Sequence, residues 1–81
     1  MFNKKELVNH LEEIADFLEF NGENPFKINA FRNGANAIRR YEDDFEKLIK
    51  EKKLDSIKGI GKALQSIIYE FYENNSSQLY N

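Results

Sequence analysis

The chain has 81 residues and carries 12 Lys or Arg against 14 Asp or Glu, which gives a net charge of −2. A chain of this length forms one small domain, residues 1–81, with little core to spare. It has no cysteine, so a disulfide framework and a cysteine-based zinc site are excluded. No stretch approaches the length of a membrane span, so we expect a cytoplasmic protein without a membrane partner.

The first predicted helix begins at Asn3, which forms a capping box with Glu6. Apolar residues at helical spacing predict its buried stripe, which consists of Leu7, Leu11, Ile14, Ala15 and Leu18 and is widened by Phe17 and Phe20. Asn21-Gly22 ends this helix, because glycine is favoured just past a helix end.

The second predicted helix begins with Asn24 as its cap and Pro25 in its first position. Its core-facing residues are predicted to be Phe26, Ala30, Phe31, Ala35 and Ile38, and the small residues Ala30, Gly34 and Ala37 allow a neighbouring helix to come close. Lys27 lies near the helix N-terminus, where a cation opposes the helix dipole unless an anion joins it. The position of Lys27 therefore favours a phosphate partner.

The rest of the chain predicts two more helices and a short turn. The acidic residues 42–44 cap a third helix in which Phe45, Leu48 and Ile49 face inward, and Leu54 and Ile57 form a short apolar turn. A fourth helix runs from about Gly61 to Glu73, and residues 74–81 have the composition of a flexible tail. No strand pattern appears. The sequence therefore predicts an all-α fold, a compact domain of four helices with one additional helical turn.

Two glycines separated by one residue lie between the short turn and the fourth helix, in Ser56-Ile57-Lys58-Gly59-Ile60-Gly61-Lys62. Glycine can take positive φ and leaves its amide uncovered. The amides of Gly61, Lys62 and Ala63 would then face outward at a helix N-terminus, which is an anion site, flanked by Lys58 and Lys62. The pattern is that of a helix-hairpin-helix, which holds nucleic-acid backbone without reading bases. The alternative is an ordinary helix connection, with Gly59 as a helix C-cap and Gly61 as a loop residue.

Charge is unevenly distributed along the chain. Residues 1–26 carry a net charge of −4, residues 27–62 a net charge of +4, and residues 63–81 a net charge of −2. A polyanion responds to local potential, so the basic middle segment favours nucleic-acid binding in spite of the negative total. The alternative interpretation is that these residues form ordinary solvated helix faces.

Three motifs in order carry a family resemblance: Asn21-Gly22-Glu23-Asn24-Pro25-Phe26-Lys27, Asn29-Ala30-Phe31-Arg32 and Ile57-Lys58-Gly59-Ile60-Gly61-Lys62. Together they resemble the N-terminal helix-hairpin-helix domain of X-family DNA polymerases, most closely the bacterial members and more distantly DNA polymerase beta. The resemblance implies that the chain is a fragment of a polymerase, that it is not catalytic alone, and that it binds gapped, nicked or single-stranded DNA as a monomer during repair synthesis.

The resemblance also implies roles for individual residues. The exposed amides after Gly61, with Gly59, Lys58, Lys62 and Ala63, would hold a DNA phosphate. Lys27 matches a lysine that binds the 5′-phosphate at a gap, and Phe26 stands where a base-stacking residue lies. Phe31 and Arg32 would also contact the 5′-phosphate or a base. No cofactor is required, but the backbone carbonyls of Asp55, Ile57 and Ile60 would hold Na⁺ or K⁺ when DNA is bound.

One activity of the family does not carry over. Members with 5′-deoxyribose phosphate lyase activity place a catalytic lysine on the last helix, where this chain has Ile67, and a second phosphate-binding lysine where it has Ala63. Two alternatives to a DNA-binding module therefore remain open. One is a lyase that acts through a displaced lysine, and the other is a helical protein-interaction domain.

Overall fold

The computed structural model describes residues 2–78, which form four α-helices and one turn of 3₁₀ helix. α1 spans Lys4–Phe20, α2 spans Pro25–Arg40, α3 spans Phe45–Lys50, the 3₁₀ turn spans Leu54–Ser56, and α4 spans Lys62–Gln78. The described residues contain no strand. This architecture confirms the all-α prediction and the order of its elements.

The helix starts are fixed by the side chains that the sequence predicts as caps. The Glu6 amide donates to Asn3 Oδ1 at 3.2 Å, and the Phe26 amide donates to Asn24 Oδ1 at 2.8 Å. α3 is capped by Asp44, whose carboxylate accepts from a backbone amide one turn later. Each cap satisfies a donor that the helix itself cannot.

Gly22 closes the end of α1, as predicted. It takes φ +72°, and the amides of Gly22 and Glu23 donate back to the carbonyls of Glu19 and Leu18 at 3.1 and 2.9 Å. This pair of bonds is the Schellman arrangement, which closes a helix and turns the chain. The short connection then sets α2 antiparallel to α1, and Arg32 and Arg39 of α2 meet carboxylates in reverse order along α1.

One apolar core joins all five elements. Its buried members are Leu7, Val8, Leu11, Ala15, Ile28, Phe31, Ala35, Ala37, Ile38, Phe45, Ile49, Leu54, Ile60, Leu64 and Ile68. More than half of these residues were predicted to face the core: Leu7, Leu11 and Ala15 of α1, Phe31, Ala35 and Ile38 of α2, and Phe45 and Ile49 of α3. Ile67 and Phe71 pack against the core from half-buried positions.

Three aromatic side chains predicted to be buried are exposed instead. Phe17, Phe20 and Phe26 are 67%, 89% and 84% exposed. At about 100° per residue, Phe17 and Phe20 lie about 140–160° around α1 from the buried Ala15, so they cannot reach the core. Phe26 and Ala30 of α2 also face solvent rather than the core.

α4 is longer than the sequence predicts. The expected end is near Glu73, whereas the helix continues to Gln78, because no glycine or proline interrupts residues 74–78. The remainder of the predicted tail, 79–81, lies outside the described residues. None of the helices within residues 2–78 is long and apolar enough to cross a membrane.

Candidate nucleic-acid interface

The turn between the 3₁₀ helix and α4 is built by short-range backbone bonds. The Ile57 amide donates to the Leu54 carbonyl at 3.1 Å, and the Ile60 amide donates to the Ile57 carbonyl at 3.4 Å. The Gly61 carbonyl accepts from the Gln65 amide at 2.9 Å, so Gly61 is the N-cap residue of α4. We call residues 57–63 the hairpin.

The two glycines of the hairpin serve different purposes. Gly59 takes φ +101°, a conformation that side chains rarely adopt, and a Cβ built on it would lie 3.6 Å from the Ala37 Cβ. Gly61 does not have positive φ, and a Cβ built on it meets no atom within 4 Å. Gly59 therefore makes the turn, while Gly61 leaves open space above the start of α4.

Buried side chains fasten the hairpin to α2. Ile60 and Leu64 are only 5% and 3% exposed. A Cβ built on Gly34 of α2 would lie 2.7 Å from Leu64 Cδ1, so Leu64 could keep its present position only if residue 34 has no side chain. The apolar residues on both sides of the turn thus hold its glycines at the surface.

The predicted phosphate-binding residues all lie on the exposed side of this turn. Lys58, Gly59, Gly61, Lys62 and Ala63 are exposed. The first amides of α4 have no partner within the helix and carry the positive end of its dipole. The structure therefore brings these five residues together as one surface with amide donors in its centre and a lysine on either side.

One face of α2 is exposed at both ends and is covered by the hairpin in its middle. The residues at its helical spacing are Phe26, Ala30, Asn33, Ala37 and Arg40, which we call the α2 stripe. The hairpin covers its middle, because the position of a Gly59 Cβ lies close to Ala37 and 3.8 Å from the Asn33 carbonyl. Lys27 is exposed at the edge of the stripe. Phe26 lies about 10 Å along α2 from Asn33, at 1.5 Å per residue.

Phe31 and Arg32 lie elsewhere, although the resemblance implies that they contact DNA. Phe31 is 5% exposed and packs in the core beneath the helix. Arg32 points toward α1, where its Nη2 lies 3.0 Å from Asp16 Oδ1 and 3.2 Å from Glu19 Oε1. The hydrogen bonds that Arg32 donates to Glu19 and, to a lesser extent, to Asp16 raise the pKa of Arg32 above its usual value. These two side chains are therefore engaged inside the domain rather than on the α2 stripe.

The carbonyls predicted to hold a monovalent cation belong to the same turn. The Ile57 carbonyl accepts from the Ile60 amide, and the Ile60 carbonyl accepts from Gln65 Nε2, both at 3.4 Å. These bonds are long, and a carbonyl oxygen has a second lone pair. An all-oxygen set of backbone carbonyls suits Na⁺ or K⁺. Within residues 2–78, no cluster of three or more His, Cys, Asp or Glu side chains could hold a metal ion.

The sequence did not single out Asn33 and Arg40 as members of this surface. Asn33 contacts the turn through its backbone, and Arg40 is exposed at the end of the same stripe. The spacing of Phe26, Asn33 and Arg40, seven residues apart each time, is a signal that could have indicated a shared face.

Comparison with known proteins gives two matches that cover almost the whole chain. The family described as "Helix-hairpin-helix domain" matches residues 2–77. The chain is also 39% identical over 75 residues to the "DNA polymerase/3'-5' exonuclease PolX" of Bacillus subtilis (strain 168). The matched region covers 93% of this chain but only 13% of that relative. No solved structure matches the chain significantly.

Proposed function

Because this chain belongs to the helix-hairpin-helix domain family, of the kind found in X-family DNA polymerases, we propose that it is the module that holds DNA for such a polymerase. It binds the sugar-phosphate backbone of gapped or nicked DNA, without reading bases, during repair synthesis. The chain spans only 13% of the length of its relative, so the polymerase activity would belong to parts of such a polymerase outside this module.

The observation that carries the proposal is the open space at Gly61. A backbone phosphate must come close to the first amides of α4 to accept their hydrogen bonds. Apart from Gly61 and its two neighbours in the chain, no residue has an atom within 4 Å of the position of a Gly61 Cβ, and Lys58 and Lys62 stand exposed on either side. Amide donors fixed by the fold hold a phosphate in one orientation, and the two lysines add screened attraction.

The α2 stripe gives the domain a second contact with the same strand. Lys27 is exposed beside the stripe, in the first turn of α2, and would bind the 5′-phosphate at the gap. Phe26 presents 84% of its surface to solvent and would stack on a base. Exposure of a large aromatic ring costs solvation free energy, so a ligand that covers the ring would recover that cost.

A monovalent cation also fits this proposal. The carbonyls of Asp55, Ile57 and Ile60 would hold Na⁺ or K⁺ at the hairpin when DNA is bound. The cation would supply positive charge next to the phosphate, while the amides of α4 orient that phosphate.

The test is a titration of gapped duplex, with and without a 5′-phosphate, at two salt concentrations. We expect the affinity to fall as salt rises, by roughly one power of salt concentration for each phosphate contacted. We also expect the 5′-phosphate to strengthen binding to the parent chain, and Lys27→Gln to remove that gain.

Lys47→Gln is the matched control, because Lys47 is an exposed lysine of α3 outside both binding surfaces. It removes the same charge and should retain the preference for a 5′-phosphate. Affinity that does not respond to salt would overturn the proposal. Equal effects of the Lys27 and Lys47 variants would show that Lys27 acts only through net charge.

A further inference from the structure

Four basic side chains from distant parts of the sequence meet at one end of the helix pair. Lys4 and Lys5 begin α1, and Arg39 and Arg40 end α2. They meet because the two helices are antiparallel. Charge counted along the sequence assigns Lys4 and Lys5 to the acidic first segment, so this cluster emerges only from the fold. We call it the basic end.

Two of the four side chains have their positions fixed by partners within the domain. Lys4 Nζ donates to the Tyr41 carbonyl at 2.6 Å. Arg39 lies 2.8 Å from Glu12 Oε2 and donates to Asn36 Oδ1 at 2.6 Å. Both cations are also favoured by the negative end of the α2 dipole.

The other two cations are available to a ligand. Lys5 and Arg40 are exposed, and neither forms an ion pair within 4 Å in the part of the chain that the structure describes. Glu12 neutralises only one of the four charges. Over the same described residues, the carboxylates of Glu42 and Asp43, just past the end of α2, form no ion pair with these side chains. Lys5 and Arg40 can therefore pair with an incoming anion without giving up an ion pair within the described residues.

A surface cavity lies next to Lys5, and Arg40 is not among its lining residues. It has a volume of about 450 Å³ and is lined by Lys4, Lys5, Val8, Asn9 and Arg39. The stems of the basic side chains and Val8 give it apolar walls, and Asn9 adds an amide. Its volume lies in the range of small-ligand sites. Apolar walls with cations at the rim suit a nucleotide unit, whose sugar and base are less polar than its phosphate.

Arg40 connects the basic end to the hairpin. It is the last member of the α2 stripe and lies about 5 Å along the helix beyond Ala37, which the hairpin covers. The stripe from Phe26 to Arg40 is about 21 Å long, which corresponds to about six phosphate spacings of one DNA strand at about 3.4 Å each. A strand held at the hairpin can therefore extend past Arg40 as well as past Lys27.

We propose that the basic end is a second phosphate-binding site, which contacts the same nucleic acid on the side of the hairpin opposite Lys27. Arg40 and Lys5 each bind a backbone phosphate, and the sugar and base next to Lys5 lie against the cavity. This inference rests on the proposed function, because it needs the hairpin to hold the strand. It extends the DNA footprint of the domain beyond the residues that the family resemblance assigns.

The test compares two variants that each remove two positive charges. Lys5→Gln/Arg40→Gln changes the basic end, and Lys47→Gln/Lys50→Gln changes exposed lysines of α3. The salt dependence of affinity is measured for both with a duplex of about 20 base pairs, several times the span of the α2 stripe. In the first variant, we expect the slope of log affinity against log salt to become shallower by about 0.9 for each phosphate that the protein no longer neutralises. In the second variant, the slope should change little.

A second measurement separates a strand contact from a site for free anions. The NMR signals of the Arg40 guanidinium and the Asn9 amide group are followed during titration with the duplex, with inorganic phosphate and with a mononucleotide. We expect shifts with the duplex at concentrations where the two small anions cause none. Equal shifts with a mononucleotide would overturn the strand contact in favour of a nucleotide site.

Equal salt slopes for the two double variants would overturn the inference but leave the proposed function standing. The Gly61→Val variant distinguishes the two failures, because it blocks the hairpin and leaves the basic end intact. If that variant bound the duplex as well as the parent chain, the proposed function itself would be wrong.

Discussion

The two flanks of α2 carry similar side chains with different surroundings. On the flank toward α1, Arg32 and Arg39 lie within 3.2 Å of carboxylates. On the flank toward the hairpin, Lys27 and Arg40 form no ion pair within residues 2–78. Basic residues of one helix thus divide into those that join two helices and those that face solvent. The position of the acidic neighbours, rather than the number of cations, decides which flank can attract a polyanion.

The two flanks of α2 also differ in the contacts that join them to neighbouring elements. Ion pairs between exposed side chains, as on the α1 flank, contribute about 0–1 kcal/mol each. The hairpin flank depends on Leu64, which is almost fully buried against Gly34. Buried apolar contacts of this size contribute several times more. Five predictions test this contrast.

The largest effect is expected from Leu64→Ala. Leu64 is 3% exposed, so its truncation leaves a cavity beneath the hairpin and should cost about 2–5 kcal/mol of unfolding free energy. Urea denaturation followed by circular dichroism measures it. Ile67→Ala is the control on the same helix and should cost less, because Ile67 is half-buried. Equal costs would show that Leu64 does not anchor the hairpin.

Gly61→Val should remove measurable binding to gapped duplex and leave the helix content unchanged. A Cβ at this position meets no residue within 4 Å other than its chain neighbours, but the valine side chain fills the space through which a phosphate must approach. A poorer N-cap residue should cost no more than about 1 kcal/mol of stability. Fluorescence anisotropy and circular dichroism report the two properties separately.

Lys62, next to Gly61 in the chain, provides the comparison for this prediction. Lys62→Ala should weaken binding less than Gly61→Val, because an exposed lysine supplies only screened attraction. A Lys62 variant with the larger effect on affinity would mean that charge, rather than backbone approach, governs the hairpin.

Phe26→Ala should weaken binding to gapped DNA by about 1–3 kcal/mol, since the exposed ring would no longer stack on a base. Phe20 offers a matched control, because it is similarly exposed but lies on α1. Phe20→Ala should leave the affinity unchanged in the same anisotropy titration. A similar weakening in both variants would contradict a specific contact at Phe26.

Arg32→Gln should have little effect on stability and leave DNA affinity unchanged, because Arg32 pairs with Asp16 and Glu19 at the surface, where ion pairs are weak. Denaturation and the anisotropy titration measure both effects. A fall in affinity comparable to that of Lys27→Gln would show that Arg32 leaves its carboxylates to contact DNA.

For 5′-deoxyribose phosphate lyase activity, we expect no reaction at all. A Schiff base with an abasic-site sugar needs an amine held beside the aldehyde. Residues 63–81 contain no lysine, and Ile67 is half-buried against the core. Borohydride trapping on incised abasic DNA should give no adduct. An adduct that disappears when one lysine is replaced would assign lyase activity to that residue.

The sequence predicted features that depend on neighbours along the chain. The caps at Asn3, Asn24 and Asp44, the glycine stop at Gly22 and the turn at Gly59 all follow from local rules, and the structure confirms them. Apolar periodicity likewise located most of the core, because each helix must bury one face.

The sequence could not settle features that depend on which helices become neighbours. Phe17 and Phe20 extend an apolar run, yet their direction around α1 places them in solvent. The family resemblance implies a DNA contact for Arg32, and nothing in the local sequence indicates that α1 brings Asp16 and Glu19 beside it. The basic end has the same origin, since Lys5 and Arg40 are 35 positions apart in the chain.

The contact between Gly34 and Leu64 has a consequence for sequence evolution. A methyl group at position 34 would lie 2.7 Å from Leu64 Cδ1 and would force the Leu64 side chain to move, so the sizes of the two side chains are coupled. Among proteins that keep this hairpin, we expect residues larger than glycine at position 34 only where position 64 carries a smaller side chain. Pairwise covariation between positions 34 and 64 would then mark the hairpin in distant relatives whose glycines at the turn have been replaced.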